Sequence, residues 1–254
     1  MPAESADVVQ SFARGIAVIR AFDAEHSELT LSDVAQRAGI SRAAAGRLLH
    51  TLETLGYVRA HERRFALTPR VLELGYSYLS GLTLPAIAQP HLEALSRELD
   101  ESSSLAILDD ADIVYIARVP TRRIMSVTIT IGTRFPAWAT SLGRVLLAAL
   151  PADDRGALLD AVDRRPLTPD TVTERAALEA ELDRVASAGW ALVDGELDEG
   201  VRSIAAPVRD ARGLVVAAVN VSTARRGDPQ LAADRIVPVL LRATAAIDAD
   251  MALR

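Results

Sequence analysis

The sequence predicts an α+β chain built in two different ways along its length, and three observations carry that expectation. Between Thr30 and Thr68, two short helical patterns are separated by Gly39 and followed by two strand-like runs, the order of a helix-turn-helix with a hairpin wing. From Ser102 onward the chain changes character: SSLAILD, DIVYIARV, MSVTITIG, WALVDGE, SIAAPVRD and LVVAAVNVS are rich in Val, Ile and Thr, as strands are. Charge changes with it. Residues 37–70 carry seven Arg against Glu53 and Glu62, a net of +5, whereas the whole chain carries −6 and the remainder therefore −11.

Taken in order, Val9–Phe22 reads as a first helix with Phe12, Ile16 and Ile19 on one face, packing behind the helix pair. Thr30 caps the second helix, with Asp33 three residues on as a weak form of the capping box. Leu31, Val34, Ala35 and Ala38 then make one apolar stripe, and Gly39 takes the left-handed position that ends the helix. Ser41 is a good N-cap for the third helix. That helix buries Ala45, Leu48, Leu49, Leu52 and Leu55 and shows Arg42, Ala43, Gly46, Arg47 and His50 on its other side. Gly46 costs about 1 kcal/mol against Ala in a helix interior, so a tertiary reason is expected for it. Tyr57–Ala60 and Arg64–Leu67, joined by His61-Glu62-Arg63, read as a β-hairpin with arginines near its tip. The pattern fits either a DNA-reading winged helix or a plain surface helix pair with a hairpin; the basic wing favours the first.

Pro69 can start a further helix, lined by Val71, Leu72, Gly75, Tyr78 and Leu79. Gly81 and Pro85 mark a boundary, and Pro85–Leu99 is an amphipathic helix with Ile87, Leu92, Leu95 and Leu99 inward. The expected division is 1–68 for the winged helix-turn-helix domain, 69–84 for a linker helix and 85–254 for the second domain. Within that domain, Asp109–Asp112 and Asp210–Gly213 read as hairpin turns, and helices fall near Thr140–Leu150, Pro151–Val162, Arg175–Ala188 and Pro229–Leu253. Strands pairing as hairpins, with helices in a block, imply an antiparallel sheet.

Composition limits the function classes. Half of the 254 residues are hydrophobic, yet the longest apolar runs, Val145–Leu150 and Leu214–Val221, fall far short of a membrane span. The acidic start, Met1–Val9, is unlike a signal peptide, and with no cysteine there is neither a disulfide nor a thiolate; the expectation is a cytoplasmic chain that does not enter a membrane. The basic residues are all Arg. The four histidines, His26, His50, His61 and His91, all precede the strand-rich part, which has no GxSxG elbow and no P-loop. Neither catalytic residues, nor a metal, nor a cofactor is expected; an enzyme acting on a small acid is the alternative from another class, and a scaffold without ligand a third.

One stretch suits a small anion. Gly132–Trp138 leaves a strand, and Ala139-Thr140-Ser141-Leu142-Gly143-Arg144 enters a helix, whose N-terminus offers unpaired N–H groups to a carboxylate. Thr140 and Ser141 add hydroxyls, and Phe135 and Trp138 could wall an apolar pocket. An ordinarily capped helix with Trp138 in the core fits the same spacing. Asp194–Gly200 is an acidic loop, open to solvent or to a ligand, and Ser203 starts a strand, facing a pocket or satisfied in the core. Arg118 and the pair Arg122-Arg123 suit an acidic ligand or surface ion pairs.

The motifs RGIAVIRAF, LTLSDVAQRAGISRAAAGRLLHTLETLGYV, LTPRVLELG, GTRFPAWATSLGRVLLAAL, GWALVDGELDEGVRSIAAPVRD and VVAAVNVS, in that order over nearly the whole chain, resemble the IclR family of bacterial transcription regulators. VLELGYSYLS, IAQPHLEAL, ESSSLAILD and IVYIARVPTRRIM are similar to the subgroup that controls aromatic-acid catabolism through the β-ketoadipate pathway. The resemblance implies a winged helix followed by a GAF-like effector domain, and homodimers through the DNA-binding part, often tetramers as a dimer of dimers. It implies double-stranded DNA as a partner, at a near-palindromic operator. Ser41, Arg42, Ala43, Ala44, Arg47 and His50 would face the major groove, and Arg63 and Arg64 the minor groove or phosphate. It also implies a small carboxylic acid effector of the protocatechuate, 4-hydroxybenzoate or β-ketoadipate kind, or another small acid. That acid would lie against Thr140, Ser141, Leu142 and Gly143, with Trp138, Asp194, Ser203 and Arg118 around it. Family members reading SGAGK offer Gly and Ala where this chain has Ser141 and Leu142, and Leu142 narrows the space against very small 2-oxo acids.

Overall fold

The computed structural model describes residues 8–74, 83–121 and 129–253. Two compact units divide the chain, Met1–Leu82 and Thr83–Arg254.

The first unit holds α1 (Gln10–Arg20), β1 (Leu29–Thr30), α2 (Leu31–Arg37), α3 (Arg42–Thr54), β2 (Val58–His61) and β3 (Arg64–Leu67). Its small sheet runs β1-β3-β2, antiparallel throughout. The capping box of α2 is complete, not weak: Thr30 Oγ1 accepts from the Asp33 amide at 3.3 Å, and Asp33 Oδ2 accepts from the Thr30 amide at 3.0 Å. Gly39, at φ +65°, turns the chain out of α2, a backbone state that glycine adopts without a Cβ clash. Ser41 Oγ then accepts from the Ala44 amide at 3.2 Å and starts α3. Val18, Val34, Ala45, Leu49, Leu52 and Val58 form the core.

Three expectations for this unit change. The buried face of α1 is Val18 with the following Ala21, while Phe12 is 72% exposed and Ile16 41%. Gly15 lies at α3's Leu48, where an added Cβ would stand 3.9 Å from Cδ2, so small residues, not the large ones, let the helices meet. Leu55 is also exposed, because it is the C-cap of α3, where the helical phase ends. Gly46 faces Leu31 of α2, 3.8 Å from its nearest side-chain carbon to a built Cβ, rather than the helix's open side.

The second unit begins with α4 (Thr83–Leu99), whose Ile87, Leu92, Leu95 and Leu99 are buried. A six-stranded antiparallel sheet follows in the order β6-β5-β4-β9-β8-β7. Its strands are β4 (Ser102–Asp109), β5 (Asp112–Val119), β6 (Arg134–Pro136), β7 (Ala191–Asp194), β8 (Val201–Arg209) and β9 (Val215–Ala224). Between β6 and β7 come α5 (Ser141–Ala148), α6 (Ala152–Asp160) and α7 (Arg175–Ala188); α8 (Pro229–Ala252) closes the chain. Alternation along the strands gives the sheet two apolar faces. On one, α4 and α8 pack over Leu105, Ile116, Val219 and Val221. On the other, Leu142, Leu146, Leu178 and Leu182 of α5 and α7 cover Ala106, Tyr115 and Ala218.

The expected third strand, Met125–Gly132, falls partly outside the described residues; 131–133 is a turn, and the edge strand is Arg134–Pro136. Gly75, Tyr78, Leu79, Gly81 and the pair Arg122-Arg123 lie outside the described residues too. Among the described residues, no helix is long and apolar enough to cross a membrane.

Candidate functional site

Two surfaces gather the expected residues. The first is the open side of α3 and the wing. Ser41, Arg42, Ala43, Arg47 and His50 are all exposed there. Ala44 is not: it is 9% exposed and packs inward, because it stands one residue before Ala45 on the buried side. The β2–β3 hairpin closes on the pair His61↔Arg64, so its turn is Glu62-Arg63, with Glu62 in the left-handed region at φ 55°. Arg63 is exposed at the tip, and Arg64 donates to the Glu28 carbonyl at 3.4 Å.

Charge sorts these arginines. Arg37 is paired with Asp23 at 2.5 Å, Arg70 with Glu73 at 3.4 Å, and Arg59 reaches Glu28 at 4.0 Å. Arg42, Arg47, Arg63 and Arg64 have no acid within that reach among the described residues. Four exposed guanidinium groups outside any ion pair at that distance, on one helix face and its adjoining wing, are what phosphate and guanine edges require, although the Arg64 charge also acts on Asp33.

The second is a cavity of about 480 Å³, mouth included, between the start of α5 and the sheet. Its walls are Tyr115, Ile129, Ala139, Leu142, Val193, Leu197 and Val201, and its polar lining is Thr140, Ser141, Asp198, Ser203, Asn220 and Ser222. Strand register explains the lining. Ser203 is opposite Ser222, and Asn220 is two residues before it on the same strand face; α5 then brings Ser141 Oγ to 2.7 Å from Ser203 Oγ. Asn220 Nδ2 donates to Ser203 Oγ at 2.7 Å and to Ser222 Oγ at 3.0 Å. Its Oδ1 is buried with no hydrogen-bond partner among the described residues.

At the helix start, Thr140 Oγ1 accepts from the Gly143 amide at 3.0 Å and the Thr140 carbonyl from the Arg144 amide at 2.9 Å. Among the described residues, the amides of Ser141 and Leu142 therefore remain as the donors of the first turn. Gly143 faces away from the cavity; a Cβ there would stand 2.1 Å from the Ala137 carbonyl oxygen. Its role is to let α5 rest on the turn Ala137–Ala139. Burial raises the Tyr115 phenol to about 12, with the Arg118 charge pulling the other way, so that hydroxyl stays neutral and able to donate.

Four expected effector residues stand elsewhere. Trp138 is core, 4% exposed, and its carbonyl accepts from Arg144 Nε at 3.2 Å. Gly143 lies behind the cavity as described. Arg118 donates to Ser104 Oγ at 3.0 Å, and burial lowers its pKa while Tyr115 pulls it back up. Asp194 grips Arg202 with both oxygens, at 2.7 Å to Nε and 3.1 Å to Nη2. Burial pushes the Asp194 carboxyl up, but its bonds and charge contacts with Arg202 and Arg225 outweigh this and hold it below the usual range. A buried ion pair next door, Arg144 to Glu196 at 2.6 Å, ties α5 to the loop that carries Leu197 and Asp198.

Tyr115, Asn220 and Ser222 were not expected at the cavity, and of the acidic loop Asp194–Gly200 it is Leu197 and Asp198 that line it. For Asn220 and Ser222 the signal is in the sequence: two polar residues, two apart, in the run Val215–Ser222 that is otherwise Val and Ala. Among the described residues, no group of three or more His, Asp or Glu is placed to hold a metal.

Comparison with known proteins bears on both surfaces. The model of the IclR helix-turn-helix domain matches residues 11–62, and that of the bacterial transcriptional regulator IclR C-terminal domain matches residues 76–249. Over 240 residues the chain is 42% identical to the Pca regulon regulatory protein of Pseudomonas putida, spanning 94% of this chain and 82% of that one. Over 245 residues it is 38% identical to the p-hydroxybenzoate hydroxylase transcriptional activator of Acinetobacter baylyi, spanning 94% and 90%. A solved IclR homologue from Microbacterium hydrocarbonoxydans, complexed with 4-hydroxybenzoate, superposes with a TM-score of 0.85 at 25% identity over 96% of this chain and 100% of that one.

Proposed function

This chain belongs to the IclR family of bacterial transcriptional regulators, and from that premise we propose that it controls aromatic-acid catabolic genes by binding a small aromatic carboxylic acid in the α5 cavity. The observation that carries the effector half is the cavity itself: apolar walls, and at one end the free amides of Ser141 and Leu142 with the Ser141 hydroxyl. A carboxylate is held there by hydrogen bonds and by the positive end of the helix. The Tyr115, Ile129, Val193 and Leu197 side chains suit a ring. Relatives that regulate the pca regulon and p-hydroxybenzoate hydroxylase, and the homologue bound to 4-hydroxybenzoate, support the same class of acid.

On the DNA side, α3 lies in the major groove, with Arg47 and Arg42 reading base edges and His50, Ser41 and Ala43 beside them. Arg63 and Arg64 hold phosphate or the minor groove. Val8, Val9, Phe12 and Ile16 form an exposed apolar strip on and before α1, which supports pairing of two copies and a near-palindromic operator.

The acid can shift DNA binding only by as much as its affinity differs between the competent and incompetent states. Strand β5 is a direct route within the second unit: Tyr115 lines the cavity, and its neighbour Ile116 packs in the core under α4. A change at the cavity is thereby passed to the helix that follows the linker 69–84.

A thermal-melt panel of protocatechuate, 4-hydroxybenzoate, β-ketoadipate, muconate, pyruvate and glyoxylate tests the effector half. At about 100 times its Kd, a ligand adds about 2.7 kcal/mol, or about 5–11 °C for a unit of this size. A shift with an aromatic acid is the expected result. A flat panel would remove the acid from the account.

A further inference from the structure

We propose that the buried Arg144–Glu196 pair holds two walls of the α5 cavity at a fixed separation, and so sets how tightly an acid binds without touching it. The inference rests on the reading that the cavity takes a carboxylic acid, and names the positioning residues behind that site. Arg144 is 2% exposed and Glu196 6%, and neither borders the cavity. Each is joined in the chain to a wall. Arg144 sits in the first turn of α5, just after Ser141 and Leu142, and Glu196 directly precedes Leu197 and Asp198. Arg144 Nη2 donates to Glu196 Oε2 at 2.6 Å and so bridges the two walls from behind.

A fully buried ion pair is a poor source of stability, since it repays its desolvation badly and well-packed apolar residues of like size commonly do as well or better. What this pair supplies is direction. Arg144 Nε donates to the Trp138 carbonyl at 3.2 Å, which fixes the guanidinium against the turn from which α5 starts. Glu196 Oε2 also accepts from the Val172 amide at 2.9 Å. The main chain of the same loop is tied to that segment: Thr168 Oγ1 donates to the Gly195 carbonyl and Thr171 Oγ1 to the Glu196 carbonyl, each at 2.7 Å. The loop and residues 168–172 thus form one piece, and Arg144 joins that piece to α5. Hydrogen bonds have angular limits that apolar contacts lack, so helix and loop share one setting. With apolar side chains in place of the pair, the two walls can slide. A cavity that is in its binding-competent setting about a tenth of the time binds about ten-fold more weakly.

The experiment is calorimetric titration of the full chain with 4-hydroxybenzoate and with protocatechuate, beside thermal melts, on wild type, the double variant Arg144→Met/Glu196→Met, and Glu196→Gln. The double variant puts flexible apolar chains where the pair was. It is expected to melt within about 3 °C of wild type and to bind the acid about ten-fold or more weakly. Glu196→Gln keeps an oxygen acceptor for Arg144 and the Val172 amide but removes the counter-charge. It is expected to melt about 6 °C or more below wild type and yet bind within about three-fold of it. Affinity and stability then move apart in opposite senses, which a merely structural pair would not produce. A double variant that binds as tightly as wild type overturns the proposal and leaves the acid cavity standing. So does affinity that follows the melting temperature across the two variants. If the double variant does not fold, Glu196→Gln decides alone, and a loss of about ten-fold or more in its affinity overturns the proposal. Failure of wild type to bind either acid overturns the acid cavity and this inference with it.

Discussion

Replacing Asp194 with alanine separates two roles that a carboxylate at the end of β7 can have, clamp or ligand contact. Arg202 is 2% exposed and uses every N–H it has: Nε and Nη2 go to Asp194, Nη2 also to the Gly227 carbonyl, and Nη1 to the carbonyls of Arg226 and Asp228. Asp194 thus fixes the chain between β9 and α8 through Arg202. Removing one partner of a buried ion pair costs about 3–5 kcal/mol, since the other charge stays buried. Three carbonyls still hold Arg202, and the Asp194 side chain is 19% exposed, so water can enter; the lower end, about 3 kcal/mol, is expected. That is a fall of about 6–12 °C in the melting temperature of the second unit, read by circular dichroism at pH 7. The pH dependence has a definite sign. The folded carboxyl lies below its ordinary value, so its contribution is present above the unfolded pKa of about 3.9 and is lost as pH falls through the folded value. The gap between wild type and Asp194→Ala therefore narrows below about pH 4. A variant that melts within 2 °C or so of wild type, yet no longer responds to acids, would refute the clamp and return Asp194 to the ligand site.

Gly143→Ala places a Cβ 2.1 Å from the Ala137 carbonyl oxygen and 2.3 Å from its Cα. Backbone must move, and destabilisation of about 3 kcal/mol is expected in denaturant titration. Gly46→Ala has the opposite sign: its Cβ would meet Leu31 at an ordinary 3.8 Å, so chemical denaturation should show the first unit gaining about 1 kcal/mol, with DNA binding unchanged. Arg47→Ala should cost about 1–3 kcal/mol in operator binding and relax one base preference. Arg64→Ala should weaken binding to all sequences alike and reduce the salt slope by about one, seen by fluorescence anisotropy over a salt series.

Elements whose signals are local were legible in the sequence. Thr30, Gly39 and Ser41 fix the ends of α2 and α3 through bonds to atoms within a few residues, and the spacing around Leu49 and Leu52 names the buried face of α3. What failed depends on partners distant in the chain. Phe12 and Ile16 form a helical stripe, but which stripe of α1 is covered is decided by Leu48 meeting Gly15. Ala44 and Ala45 are alike in hydropathy, and only the packing of α3 shows that both turn inward. At the cavity, the start of α5 could be read from Thr140 and Ser141. The row Ser203, Ser222, Asn220 exists only once β8 and β9 are in register. Asp194 and Arg202, eight residues apart, become a clamp only when β7 and β8 pair.

The most direct test of the whole account is selection of DNA by the full chain from a random duplex pool, with the bound fraction measured again after adding the acid that gave the largest thermal shift. The account predicts enrichment of an inverted repeat, loss of its sequence preference in Arg47→Ala, and a change in affinity on adding the acid. Enrichment of no sequence, or an enriched site whose binding the acid leaves unchanged, would contradict it.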